Sequence, residues 1–152
     1  MSDNYSDIVS DVFCNVIEEL AFMFGDPAEA EDMMPADDAF WQAEMDFSGD
    51  NDGCILLLIP REMGHELAAN FLGVDEEDEK AEKLAADAMK ELLNVTCGQI
   101  LTAVAGEKAL FKLSVPEVSQ HDLEYFDKMK NDPHTVKVLV DDYPCMIKFN
   151  IQ

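Results

Sequence analysis

The sequence predicts an α+β fold: a largely antiparallel sheet with helices packed on it and one long central helix. Three observations lead there. Residues 79–105 carry apolar side chains at threes and fours, the period of a long amphipathic helix. The apolar segments Phe40–Phe47 and Gly53–Ile59 flank the turn-forming run Gly49-Asp50-Asn51-Asp52-Gly53. A second pair of short apolar runs, Thr135–Val140 and Cys145–Ile151, flanks Asp141-Asp142-Tyr143-Pro144 in the same way. Hairpins rather than strand–helix alternation imply helices packed on a largely antiparallel sheet.

Taken in order, residues 7–24 read as a helix with Ser6 as N-cap and Ile8, Val12, Val16, Leu20 and Met23 on its buried side. Gly25 and Asp26-Pro27 stop it. Asp26–Asp38 is acidic, holds two prolines, and reads as an exposed connector leading to the first hairpin. The second strand of that hairpin is nearly all apolar, as in the interior of a sheet. Pro60 opens a helix through Met63, Leu67, Ala68 and Phe71 to a stop near Gly73. The acidic run Asp75–Lys80 leads into the long helix and suits a helix N-terminus. Leu110–Val115 alternates as a strand and stops at Pro116. Glu117–Pro133 reads as a polar connector with a short helical turn near Leu123–Met129. The order is therefore α-β-β-α-α-β-β-β.

At 152 residues the chain suits a single domain, 1–152, with a sizeable core. Its 33 acidic and 10 basic residues give a formal charge of -23. Such a surface repels phosphate backbones and anionic membranes, so neither nucleic acid nor membrane is an expected partner. A partner with a lysine- or arginine-bearing face fits better. The four cysteines form no CxxC pair, the N-terminus lacks the basic region of a signal peptide, and the run Cys54–Ile59 is too short to cross a bilayer. A cytoplasmic protein with free thiols is expected.

Most chemical motifs fail on inspection. Ser48-Gly-Asp-Asn-Asp-Gly53 begins like a calcium loop, but its twelfth position is Ile59 rather than a bidentate Glu. A hairpin tip explains it. His65-Glu66 begins like a zinc-protease helix, yet the place of the second His is Ala69. His121 and His134 lie in polar connectors. There is no nucleophile elbow, no GxGxxG and no phosphate-cradling GKS or GKT, and no metal site is expected.

The long helix holds what remains. With Ala85, Ala86, Met89, Leu93, Ile100, Ala103 and Val104 inward, Glu91 points almost directly outward, among Asp87, Asn94, Gly98 and Thr102. A solvated helix face is the plain reading of acids there. Asn and Gly cost up to about 1 kcal/mol each against Ala in a helix interior, and core packing does not account for them on an outward stripe. Glu91 and Asn94, three residues apart, can engage one target together, and Gly98 and Thr102 leave a partner little bulk to clear.

The segment Asp87-x3-Glu91-x2-Asn94, with Pro116 near two dozen residues on, resembles the signature of the CheC/CheX/FliY chemotaxis phosphatase family. A single copy on the long helix resembles the CheX branch in particular. The first helix bears only Asp11-x3-Asn15, without the Glu-x2-Asn spacing. The resemblance implies a CheC-like fold and hydrolysis of the aspartyl phosphate on a CheY-type response regulator. Asn94 would position the attacking water, and Glu91 would hold a regulator lysine. Asp87, Gly98 and Thr102 would edge the contact. It implies no cofactor bound by this chain, with Mg²⁺ supplied by the regulator, and a homodimer paired through sheet edges, for which 135–151 is the expected segment. A non-catalytic module of the same fold that binds or sequesters a regulator is the alternative reading. An acidic adaptor unrelated to phosphorelays is a third.

Overall fold

The computed structural model describes residues 5–36, 38–73 and 81–152. The predicted run Asp75–Lys80 lies outside them. Helix α1 (Ser6–Ala21) is followed by β1 (Gly25–Pro27), a single 3-10 turn (Ala30–Asp32), β2 (Ala39–Gly49), β3 (Gly53–Pro60), α2 (Arg61–Leu72) and α3 (Ala81–Ala105). Then come β4 (Phe111–Leu113), β5 (Glu117–Asp122), α4 (Leu123–Lys130), β6 (Val136–Val140) and β7 (Tyr143–Ile151). The strands form one antiparallel sheet in the order β1-β6-β7-β3-β2, with β4 and β5 sharing the far side of β2. The α+β class holds, with two strands and one helix more than the sequence order gave.

Both hairpins form as expected. In the β6–β7 turn Asp141 and Asp142 take φ of 46° and 71°, the positive values that a two-residue hairpin needs. Strand β3 is interior, bonded to β2 and β7, which explains its unbroken apolar run. Alternation along the strands serves two cores. Trp41, Ala43, Met45, Ile55, Leu57, Ile59, Val138, Cys145 and Ile147 face α1, α2 and α3. Phe40, Leu58 and Met146 face the other way and meet Met33, Phe126 and Met129. There Phe40 stacks on Phe126 with ring centroids 4.6 Å apart.

The departures trace to that smaller core and to the sheet's edges. Glu117–Asp122 is a strand, bonded to β2 along one side only; its polar composition suits an edge that meets water. The turn near Leu123 is a full two-turn helix, capped by Asp122, whose carboxylate accepts from the Tyr125 N–H. It holds Phe126 and Met129 against the sheet. The 26–38 segment is no simple connector either, since β1 pairs with β6 and Met33 is buried while Met34 is exposed. His121 lies on β5 rather than in a connector, stacked on Tyr125.

Helix α1 is rolled from its expected face. Val9, Phe13, Val16, Ile17 and Ala21 are buried, while Ile8, Val12 and Leu20 are only partly so. Its N-cap position is Tyr5 rather than Ser6, and it ends at Ala21 with Phe22 in the left-handed region. Gly25 therefore does not stop it. A Cβ at Gly25 would lie 2.9 Å from Cys14 Sγ, so that glycine lets β1 approach α1. The expected dimer segment also changes status: β7 is bonded on both sides and β6 is covered by β1, so the free edges lie on β1 and on β4–β5.

Beyond α4 the chain is tied down by Asp132. Its carboxylate accepts from the His134 N–H at 2.9 Å and from Lys148 Nζ at 2.9 Å, and both hold its pKa below the ordinary carboxylate value. A lowered folded pKa means stability present above the unfolded value, near pH 4, and lost as pH falls through the folded one. Urea titrations of the wild type and Asp132→Asn should therefore differ at pH 7 and converge as pH drops below about 4. A gap that persists unchanged at pH 3 would mean that the ionised carboxylate is not its source.

Candidate functional site

Helix α3 lies in the helical layer, packed against α1 and α2 and seated over β2, β3 and β5. Its 25 residues extend about 37 Å. Ala85, Ala88, Met89, Leu92, Leu93, Thr96, Cys97, Ile100 and Leu101 are buried. Ala103 is exposed and Val104 partly so, hence the inward face is narrower at the C-terminal end than the sequence suggests. At its start Arg61 of α2 pairs with Glu82. Both side chains are half exposed, so the pair contributes at most about 1 kcal/mol.

Opposite the buried face lies the predicted stripe. Asp87, Glu91, Asn94 and Thr102 are exposed and Gly98 is partly exposed. No side-chain hydrogen bond or ion pair within the described residues occupies Asp87, Glu91 or Asn94. Side chains three apart on a helix stand about 5–6 Å from each other at Cβ, so the Glu91 carboxylate and the Asn94 amide address the same volume of solvent. The carboxylate offers only acceptors; the amide offers both an acceptor and two donors.

The two lower positions differ from each other. A Cβ at Gly98 would meet nothing within 4 Å, so this glycine is required neither by the packing of its own chain nor by a positive φ. It leaves a shallow notch one turn beyond Asn94. Thr102, though exposed, is committed to its own helix, its hydroxyl donating to the Gly98 carbonyl at 3.0 Å. Lys90, which the sequence reading passed over, is partly buried beside the stripe, three residues from Asp87 and four from Asn94. It is the one cation between Lys83 and Lys108, and its (i, i+4) relation to Asn94 is the signal that could have found it.

Other candidates separate from this site. Cys97, three residues from Asn94, points into the core, and burial pushes its thiol up to about 12, far from a reactive thiolate. Asp11 and Asn15 are exposed on α1. His65 packs edge-on against Trp41. Among the described residues no group of three His, Cys, Asp or Glu could hold a metal ion, and no helix is long and apolar enough to cross a membrane.

The fold is that of the CheC-like chemotaxis proteins. A chemotaxis protein CheX from Desulfovibrio desulfuricans superposes with a TM-score of 0.71 at 13% identity, covering 99% of this chain and 100% of that one. CheX from Vibrio vulnificus gives 0.72 at 12%, covering 99% and 97%. A chain of the CheX–CheY–BeF3–Mg²⁺ complex from Borrelia burgdorferi gives 0.63 at 14%, covering 97% of each. A comparison with curated protein sequences returned no match. Residues 42–149 match the family model described as chemotaxis phosphatase CheX, and the chain belongs to that family.

The open notch makes a prediction about stability alone. Gly98→Ala should raise the unfolding free energy by about 0.5–1 kcal/mol, because Ala is the better helix former and nothing obstructs its methyl group. Urea denaturation measures this. A destabilised variant would mean that the methyl group meets the protein itself.

Proposed function

We propose that this protein hydrolyses the aspartyl phosphate of a CheY-type response regulator, using the exposed face of α3 as its catalytic surface. The carrying observation is the Glu91–Asn94 pair, engaged by no side chain among the described residues, on a long packed helix in a chain of the CheX family. The complex of a CheX with CheY from Borrelia burgdorferi supports the choice of partner.

Phosphoryl transfer asks little covalent help of a protein; it needs a held substrate and a water in line with the bond to be broken. On docking, Glu91 accepts hydrogen bonds from a lysine ammonium in the regulator's phosphorylated pocket and fixes the register. The Asn94 amide oxygen accepts a hydrogen bond from a water and turns a lone pair of that water toward phosphorus. The new P–O bond forms as the bond to the aspartyl oxygen breaks. The regulator's carboxylate is regenerated, inorganic phosphate leaves, and the water's second proton passes to phosphate or bulk water. Asn94 positions and is not a general base. Mg²⁺ enters with the regulator, whose own acids bind it, and no metal is required of this chain. Asp87 edges the contact, and Gly98 lets the regulator approach the helix backbone. Thr102, its hydroxyl bonded to Gly98, supports that floor.

A regulator substrate sets the working compartment as the cytoplasm. For the homodimer that the resemblance implies, the outer sides of β1 and of β4–β5 are the edges to consider among the described residues, since β6 and β7 are engaged within the chain.

Single-turnover loss of phosphate from a labelled regulator tests the roles. Asn94→Ala should slow the stimulated reaction by about a hundred-fold or more with regulator binding retained, the size of effect that misplacing a reacting group produces. Glu91→Gln should act mainly through weaker docking. Wild-type protein that binds tightly without accelerating phosphate loss would replace this reading with the sequestering module.

A further inference from the structure

A second exposed surface lies off helix α3, where α1 gives way to β1. Phe22 is 72% exposed, Phe24 61% and Met34 78%. Phe22 sits at φ 57° and ψ 32°, a left-handed conformation that Asn or Gly adopts more readily than a residue with a bulky side chain. Neither the backbone nor the core therefore asks for a phenylalanine there. Phe24 is held rather than loose: its N–H donates to Asp141 Oδ1 at 3.1 Å, and its carbonyl accepts from the Asp141 N–H at 2.9 Å. Beside that turn, Met34, Pro60, Tyr143 and Pro144 line a hollow of about 150 Å³, enough for one apolar side chain. Exposed apolar clusters with a polar rim mark contact sites.

The rim chooses the partner. Glu62, Asp141 and Asp142 border the hollow, and Glu18, Glu19 and Asp26, close in the chain to Phe22 and Phe24, are exposed as well. The first sixty residues of the chain contain no lysine or arginine. Two copies meeting through this patch would set acid against acid, and an anionic membrane would be repelled. We propose that Phe22, Phe24 and Met34 around the Asp141–Asp142 turn form a docking site for a protein segment presenting apolar side chains bordered by lysine or arginine. This goes beyond the phosphatase reading and uses none of its residues.

The test is anisotropy of a labelled amphipathic peptide of leucine and lysine titrated with the full chain. The comparisons are a leucine–glutamate peptide, vesicles containing phosphatidylserine, and the variants Phe22→Asn and Phe22→Asn/Phe24→Ser, which leave the charge unchanged. Phe22→Asn suits the left-handed backbone and should melt no lower than the wild type. Both variants should bind the basic peptide more weakly, the double one by about ten-fold or more at physiological salt, as expected on removing aromatic anchors. Equal binding by wild type and double variant would mean attraction by charge alone and would overturn the proposal. So would equal binding of the acidic peptide, binding to the vesicles, or a wild-type dimer that the double variant dissociates.

Discussion

The outward face that carries Glu91 and Asn94 depends on how α3 is clamped. Met89, Leu92, Leu93, Thr96, Cys97 and Ile100 are sealed from solvent against the sheet and the neighbouring helices. At about 25 cal/mol per Å² of apolar surface removed from water, such a face fixes the rotation of the helix about its axis far more firmly than any polar contact on the outside. Once that rotation is fixed, the outward stripe has no freedom. Glu91 and Asn94 must face solvent together, one turn apart, and they cannot fold back onto their own chain. The helix is a rail, and the residues on it are presented rather than enclosed.

That arrangement differs from a pocket enzyme's. Two groups on a convex helix cannot surround a small substrate or exclude water from it. What they can do is complete a site that another macromolecule brings, as trans-acting groups complete the phosphoryl-transfer sites of small GTPases. The family of the chain, the unengaged side chains and the bare notch at Gly98 are consistent with one another on this point. The strongly negative surface adds steering toward a basic face without specifying which one.

Much of this was legible in the sequence. The outward position of Asp87, Glu91 and Asn94 followed from a 3.6-residue period sustained over many turns, a signal that one misplaced residue cannot erase. The central strand β3 was equally plain, because burial on both faces leaves an apolar run. What was not legible lay where one tertiary contact decides. Glu117–Asp122 has the composition of a loop and becomes a strand only because β2 offers its edge. Met33 and Met34 are identical in sequence terms and opposite in burial. The helical period alone places the buried face of α1 about one residue from where it lies, since Val9, Phe13 and Ile17 compete with Ile8, Val12 and Leu20 for the core and only the packing chooses. The resemblance to CheX depended on side chains of the most legible helix, and for that reason it held where the edges of the fold did not.

The most direct measurement is carboxylate footprinting by mass spectrometry, with a CheY-type regulator held in its active form by beryllofluoride. The account predicts that carbodiimide labelling of Glu91, and less so of Asp87, is suppressed when the regulator is added, while Glu44 on the opposite face of the sheet labels as before. Unchanged labelling of Glu91 in a complex that protects carboxylates elsewhere would contradict it, and the exposed face of α3 would then be only a solvated surface.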